Sequence, residues 1–213
     1  MGEQAARRDA YPRSLTMLMF VEYIARPHGV PIELFHKHAR QDWPASEDGV
    51  VANLARMNKL GPKPHYMCWW AIKSLARIDE WHAYYNSVAG RSHLAKSDDA
   101  KVLDFQRHGV FDIVLCGGVV GGGLHFAEFF NAEDLSSAEL AEAFQARAAS
   151  ASPGHLAYVL KRLGLIAPDP GGIALWTFPS LAAAEPFLRA PLPKGDFTIS
   201  ARGVYRPMGE EGT

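Results

Sequence analysis

Two glutamates stand inside apolar runs, Glu22 in Leu18-Met19-Phe20-Val21-Glu22-Tyr23 and Glu128 in Leu124-His125-Phe126-Ala127-Glu128-Phe129. A carboxylate within such a run is costly to bury unless it is paired or protonated, and burial raises its pKa toward the range useful for a general acid or base. The structural alternative is an ion pair with Arg56 and Arg162. His125, three positions before Glu128, titrates near neutral pH, but side chains three apart on a strand point to opposite faces. The chemistry this set could carry is proton transfer, with Glu128 or His125 as base, His65 or His108 as acid or oxyanion partner, and Glu22 as a second carboxylate. Trp70, Trp176, Tyr84 and Arg202 are the candidate substrate contacts, offering aromatic walls, an orienting hydroxyl and a cation.

The paired glutamates belong to a longer repetition. Residues 18–81 recur without a gap 106 positions later, and 15 of 64 aligned positions are identical. Trp70 returns as Trp176, Arg56 as Arg162, and Ser74-Leu75-Ala76 as Ser180-Leu181-Ala182. The chain is two copies of one module, which makes the space between them an expected place for a site. Where the copies agree, a structural role is to be exhausted first. Where they differ (His125 for Met19, His65 for Gly171, His108 for Arg202), symmetry supplies no structural reason for the residue.

Each copy must then supply the elements that position these groups. Leu15–Tyr23 and Leu124–Phe130 read as strands, Pro31–Gln41 and Ser136–Ala149 as helices, the latter opened by a capping box of Ser136 and Glu139. Val50–Lys59 and Leu156–Leu163 read as second helical pieces, each ending near a Pro-x-Pro. Tyr66–Ile72 and Gly172–Phe178 are aromatic and β-branched, as strands are. Ser74–Tyr85 and Ser180–Ala190 read as N-capped helices, and Val102–Leu115 and Phe197–Pro207 as closing strands. The closing pair shares Gly-Val-aromatic at an offset of 94, so an excess of 12 residues, 106 minus 94, falls within about 88–100 of the first copy. Its polar composition reads as a surface loop or lid. The organisation expected is a flexible tail over 1–14, a first repeat over 15–116, a Gly-rich linker over 117–123 and a second repeat over 124–208.

Strand, helices, strand, helix, strand lacks one short strand of βαββαβ, the ferredoxin-like unit. Two such units can cover each other's bare sheet face, giving an α+β fold packed sheet to sheet as an intramolecular barrel. Gly172-Ile173-Ala174-Leu175-Trp176-Thr177-Phe178, then Leu181–Leu188, then Asp196-Phe197-Thr198-Ile199 leading to Arg206-Pro207, resemble the dimeric α+β barrel superfamily in a fused form. The likeness is to muconolactone isomerase-like and antibiotic-biosynthesis monooxygenase-like units. The superfamily also holds chlorite dismutases and dye-decolorising peroxidases, and the resemblance implies pockets between sheet and helices of each unit.

A net charge of −1 over 213 residues leaves no electrostatic footprint for nucleic acid or an anionic membrane. No stretch reaches the roughly 20 apolar residues of a membrane helix, and a secretory signal pattern is not evident, so the expected setting is cytoplasmic. Two cysteines form neither a disulfide framework nor a zinc pattern, and His36 with His38 diverge by about 200° on a helix, so no metal is expected. The run 117–123 lacks the Lys-Ser/Thr ending and following helix of a phosphate loop. The expected function is isomerisation, cyclisation or non-hydrolytic cleavage of a hydrophobic, aromatic or lactone-like metabolite without an organic cofactor. The alternatives are an oxygenase of the same superfamily, haem-dependent through a histidine axial ligand or cofactor-free, and a non-catalytic carrier of a small ligand. Further dimerisation of the fused pair to a homodimer is left open.

Overall fold

The computed structural model describes residues 17–39, 49–61, 63–96, 99–118, 120, 122–132, 134–164, 166, 169–191 and 197–208. The expected tail over 1–14 lies outside them. The first copy runs β1 (Leu18–Ala25), α1 (Ile32–Ala39), β2 (Gly49–Arg56), β3 (Tyr66–Ile72), α2 (Ala76–Asn86), α3 (Val88–Lys96), α4 (Asp99–Val102) and β4 (Asp104–Cys116). The second runs β5 (Leu124–Asn131), α5 (Ser137–Ala148), β6 (His155–Arg162), β7 (Gly172–Phe178), α6 (Leu181–Arg189) and β8 (Thr198–Pro207).

The segments read as second helical pieces are strands β2 and β6, and they complete a βαββαβ unit in each copy. Each carries a register shift, between Val50 and Ala52 and between Leu156 and Tyr158. An extra residue at a bulge breaks the period of two that marks a strand, so the pattern passes for a helix. Of the insertion over about 88–100, the described residues are helical, 88–96 as α3 and 99–100 at the start of α4, where a loop or lid was expected. Along α5 the capping box is present: Glu139 N–H donates to the Ser136 hydroxyl at 3.3 Å and Ser136 N–H to the Glu139 carboxylate at 2.8 Å. The Ser136 hydroxyl also donates to that carboxylate at 2.6 Å, and this bond, followed by the one from the Ser136 N–H, holds the Glu139 carboxyl below its ordinary pKa.

All eight strands pair antiparallel and close into a barrel in the order β1-β3-β2-β8-β5-β7-β6-β4. Seams β2–β8 and β4–β6 join the copies, so no strand edge is left to recruit another chain. Alternation then sorts side chains to two faces. Met19, Val21 and Tyr23 of β1 and Ala127 and Phe129 of β5 point inward, where they pack with Leu54, Trp69, Tyr158, Leu175 and Tyr205. The space between the copies is thus a filled core rather than a site. Phe20, Glu22 and Ile24 of β1, and Phe126, Glu128 and Phe130 of β5, point outward toward the helices.

The two outer faces are filled unequally. Over the second copy, Phe126, Phe130, Phe144, Trp176, Phe178, Phe187 and Phe197 form one buried cluster under α5 and α6. Gly172 is required there, because a Cβ would stand 2.2 Å from the Phe130 ring. Over the first copy, α2 buries no residue along its length, whereas α6 buries Ala184 and Phe187. Phe187→Ala should therefore destabilise the protein by about 3–5 kcal/mol in urea denaturation, and Trp81→Ala at the matching position of α2 by clearly less.

Candidate active site

Strand register brings the candidate groups together in a row. On the outer face of the first copy, His108 of β4 stands opposite Glu22 of β1, Glu22 opposite Cys68 of β3, and Cys68 opposite Asn53 of β2. The matching row of the second copy reads Arg202, Glu128, Ala174, Val159. Both glutamates are buried, and both accept a hydrogen bond from an indole N–H, Trp70 to Glu22 at 2.8 Å and Trp176 to Glu128 at 2.9 Å. The positions on which the copies agree thus fix the carboxylate.

The remaining partners differ. Glu128 is fully buried and clamped by two guanidiniums. Arg147 of α5 donates to both carboxylate oxygens, one bond measuring 3.0 Å, and Arg202 Nε donates to Oε1 at 2.8 Å. The Arg147 guanidinium also lies 5.2 Å from the Trp176 ring centre and 5.1 Å from that of Phe187. Both oxygens of this carboxylate are engaged by guanidiniums and it is cut off from solvent, which leaves a substrate no approach to it.

Glu22 has no guanidinium partner among the described residues. Its Oε1 lies 3.6 Å from His108 Nε2, and the His108 side chain is 46% exposed against 7% for Glu22. The imidazole stacks on Phe20, ring centres 5.4 Å apart and planes 12° apart, and Phe105 lies 5.9 Å from it. Trp81 of α2 meets Phe20 edge-on at 5.4 Å. This is a half-open aromatic face in which a buried carboxylate orients a titratable imidazole that solvent or a ligand can reach. Such a pair can accept or deliver a proton, or present a nitrogen to a metal centre.

The other candidates lie elsewhere. His125 shares a strand face with Ala127, inside the barrel; it is fully buried and bonds through Nδ1 to the Thr177 hydroxyl at 3.0 Å. It is therefore separated by the strand itself from Glu128. His65 follows the β2–β3 loop and is held by Arg56, whose guanidinium lies 2.9 Å from Nδ1. Burial and then the Arg56 charge keep its pKa below the ordinary 6.5. Arg56 is thus taken by His65, and Arg162 pairs with Asp169 at 2.9 Å, so neither is the partner expected for the glutamates. Arg202 closes the Glu128 clamp rather than binding a substrate, and Trp176 is enclosed with it. Tyr84 sits on the exposed side of α2 against Tyr85, because Ile78 and Trp81 take the inward face. Of the candidates, Glu22, His108 and Trp70 converge.

No protein-family model and no curated protein matches the chain. Solved structures do. A variant of the chlorite dismutase of Candidatus Nitrospira defluvii matches with 13% identity over 93% of this chain and 94% of that one, at a TM-score of 0.53. A haem-binding protein from Thermus thermophilus matches with 11% identity over 90% and 91%, also at 0.53. The chain has the dimeric α+β barrel fold. At such identities the likeness fixes the fold alone.

Arg147, Cys68 and Trp81 were missed from the sequence. The gapless repeat did hold the signal for Arg147, which aligns with Gln41, a residue outside those described. Cys68 is buried in this barrel, its thiol donating to the Ala39 carbonyl at 3.7 Å, and burial followed by the Glu22 charge pushes its pKa well up. Cys116 is exposed. In native protein a thiol reagent at neutral pH should modify Cys116 and leave Cys68 until unfolding; fast reaction of both would show that the face over Cys68 opens.

Proposed function

We propose that this α+β barrel is a small-molecule enzyme whose working site is the outer face of the first copy, with His108 as the proton-transferring group and Glu22 as its partner. The observation that carries the reading is the contrast between two equivalent carboxylates, one sealed by two arginines and the other turned toward a half-exposed imidazole. Glu22 stabilises the imidazolium that forms when His108 takes a proton, and the Trp70 N–H keeps the carboxylate aimed at it. Phe20, Phe105 and Trp81 offer flat apolar contact, which suits an aromatic or lactone-like molecule undergoing isomerisation, cyclisation or non-hydrolytic cleavage. The second copy carries the same scaffold in closed form.

A second reading is favoured by the fold neighbours, one a chlorite dismutase and one a haem-binding protein. The donor set of the first copy would suit a haem, since an imidazole with a carboxylate 3.6 Å from one nitrogen and apolar rings beside it could hold the iron. Here His108 would hold the iron and Glu22 would set the basicity of the imidazole. The haem when bound would supply redox and oxygen chemistry.

An absorption spectrum of freshly purified protein, before and after addition of hemin, separates the two. A Soret band lost in His108→Ala carries the haem reading. Without one, His108→Ala and Glu22→Gln should each lower turnover of an aromatic lactone panel by about 10²–10⁴-fold. Full turnover in both variants would move the site away from this face.

A further inference from the structure

Helices α2 and α6 occupy equivalent places in the two copies and are held in opposite ways. In α6 the residues Ala184 and Phe187 are buried, and the Ser180 hydroxyl caps the first turn by accepting from Ala183 N–H at 3.1 Å. The aligned residues of α2, Ile78 and Trp81, are larger yet only half-buried. Leu75 stands at the N-cap of α2, where no side chain caps the turn, and Lys73, Ser74 and Leu75 leading into it are exposed. What α2 has instead is α3, which comes from the insertion that the second copy lacks. The two helices meet at Gly90, which is buried and where a Cβ would stand 2.0 Å from the Tyr84 carbonyl oxygen and 2.8 Å from Tyr85 Cα. Ser87 ties the turn between them. Its hydroxyl donates to the Tyr84 carbonyl at 2.6 Å and accepts from Gly90 N–H at 3.0 Å, and the Arg91 guanidinium donates to the Asn86 carbonyl.

We infer that α2 and α3 form a lid, a helix hairpin that swings as one body off the outer face of the first copy and back, hinged at Lys73-Ser74-Leu75. Parting α2 from α3 would break the Ser87 bonds and a close backbone contact, whereas lifting both together gives up half-buried contacts, the cheaper of the two motions. Among the described residues, α2 meets the sheet through Ile78 and Trp81, and Trp81 stands edge-on to Phe20, the ring on which His108 is stacked. Raising the hairpin bares that aromatic floor beside His108. Lowering it covers a molecule lying there, and proton transfer through His108 and Glu22 gains from the exclusion of water that a cover provides. The second copy needs no such device, because its carboxylate is sealed. This rests on the first copy being the working face and assigns the element that opens and covers it.

Distances between spin labels, measured by double electron–electron resonance in frozen solution, test the lid. One label goes on the native exposed Cys116 and the other on an exposed position, Tyr84→Cys on α2, Val88→Cys on α3 or Leu181→Cys on α6 as the control. The α2 and α3 pairs should each show two distances in the same proportions, and the α6 pair one. Trp81→Ala, which removes the edge-on contact with Phe20, should raise the ratio of open to closed about tenfold for α2 and α3 alike and leave α6 unchanged. Trp81→Leu serves if that variant does not fold. A single narrow distance for the α2 and α3 pairs with and without the Trp81 substitution, or proportions that differ between α2 and α3, would overturn the lid. Its failure is distinct from that of the catalytic reading: a moving hairpin with no effect of His108→Ala on turnover sinks only the latter, and turnover dependent on His108 beneath a fixed hairpin sinks only the former.

Discussion

A carboxylate buried beneath helices on the outside of a barrel wall is the constraint around which each half is arranged. Leaving such a group without partners costs several kcal/mol, so the surrounding structure must supply donors. The first donor is the same in both halves: an indole N–H from the neighbouring strand, in the diagonal cross-strand position. That bond fixes the tryptophan, and the tryptophan in turn sets where the helices above can sit. The second donor is where the halves part. Two guanidiniums complete the shell of Glu128 and seal its compartment with aromatic rings, whereas a half-exposed imidazole stands beside Glu22 under a helix that covers the sheet loosely.

Closure of the barrel explains why the candidate groups that converge lie outside it. Eight strands whose inner side chains are large and apolar leave the interior filled, and closure removes the edges that could otherwise recruit ligands or partners. Among the described residues, the buried carboxylates stand on the faces under the helices, one for each copy. Duplication makes the pair unequal at little cost, because the sealed half maintains the packing and the other half can keep a group in contact with solvent.

Much of the fold was legible in the residues. Six of the eight strands show as apolar, aromatic runs, and the capping box at Ser136 is readable from two side chains. Strands β2 and β6 were not, because each carries a bulge that shifts the phase of its inward and outward residues. The helical insertion was misread for the opposite reason: its composition is polar on all sides, and nothing in a polar segment distinguishes an exposed helix from a loop. The site was legible in part. Glu22, His108 and Trp70 could be singled out by type and by the repeat, but His125 and Glu128 drew more weight, since an unusual residue in an apolar strand looks functional whether it faces a sealed core or an open face.

What the sequence by itself determined is the duplication, the βαββαβ order apart from one strand in each copy, and the positions at which the copies differ. Only the tertiary structure decided which of those differences matter. Hydrogen-bond register, set by the pairing of strands far apart in the chain, placed His108 opposite Glu22 and Arg202 opposite Glu128. Helix packing brought Arg147 onto Glu128 from 19 residues away. A carboxylate's chemistry depends on the charges and solvent within a few ångströms of it, and those neighbours come from other strands and helices, which no local pattern around the residue records.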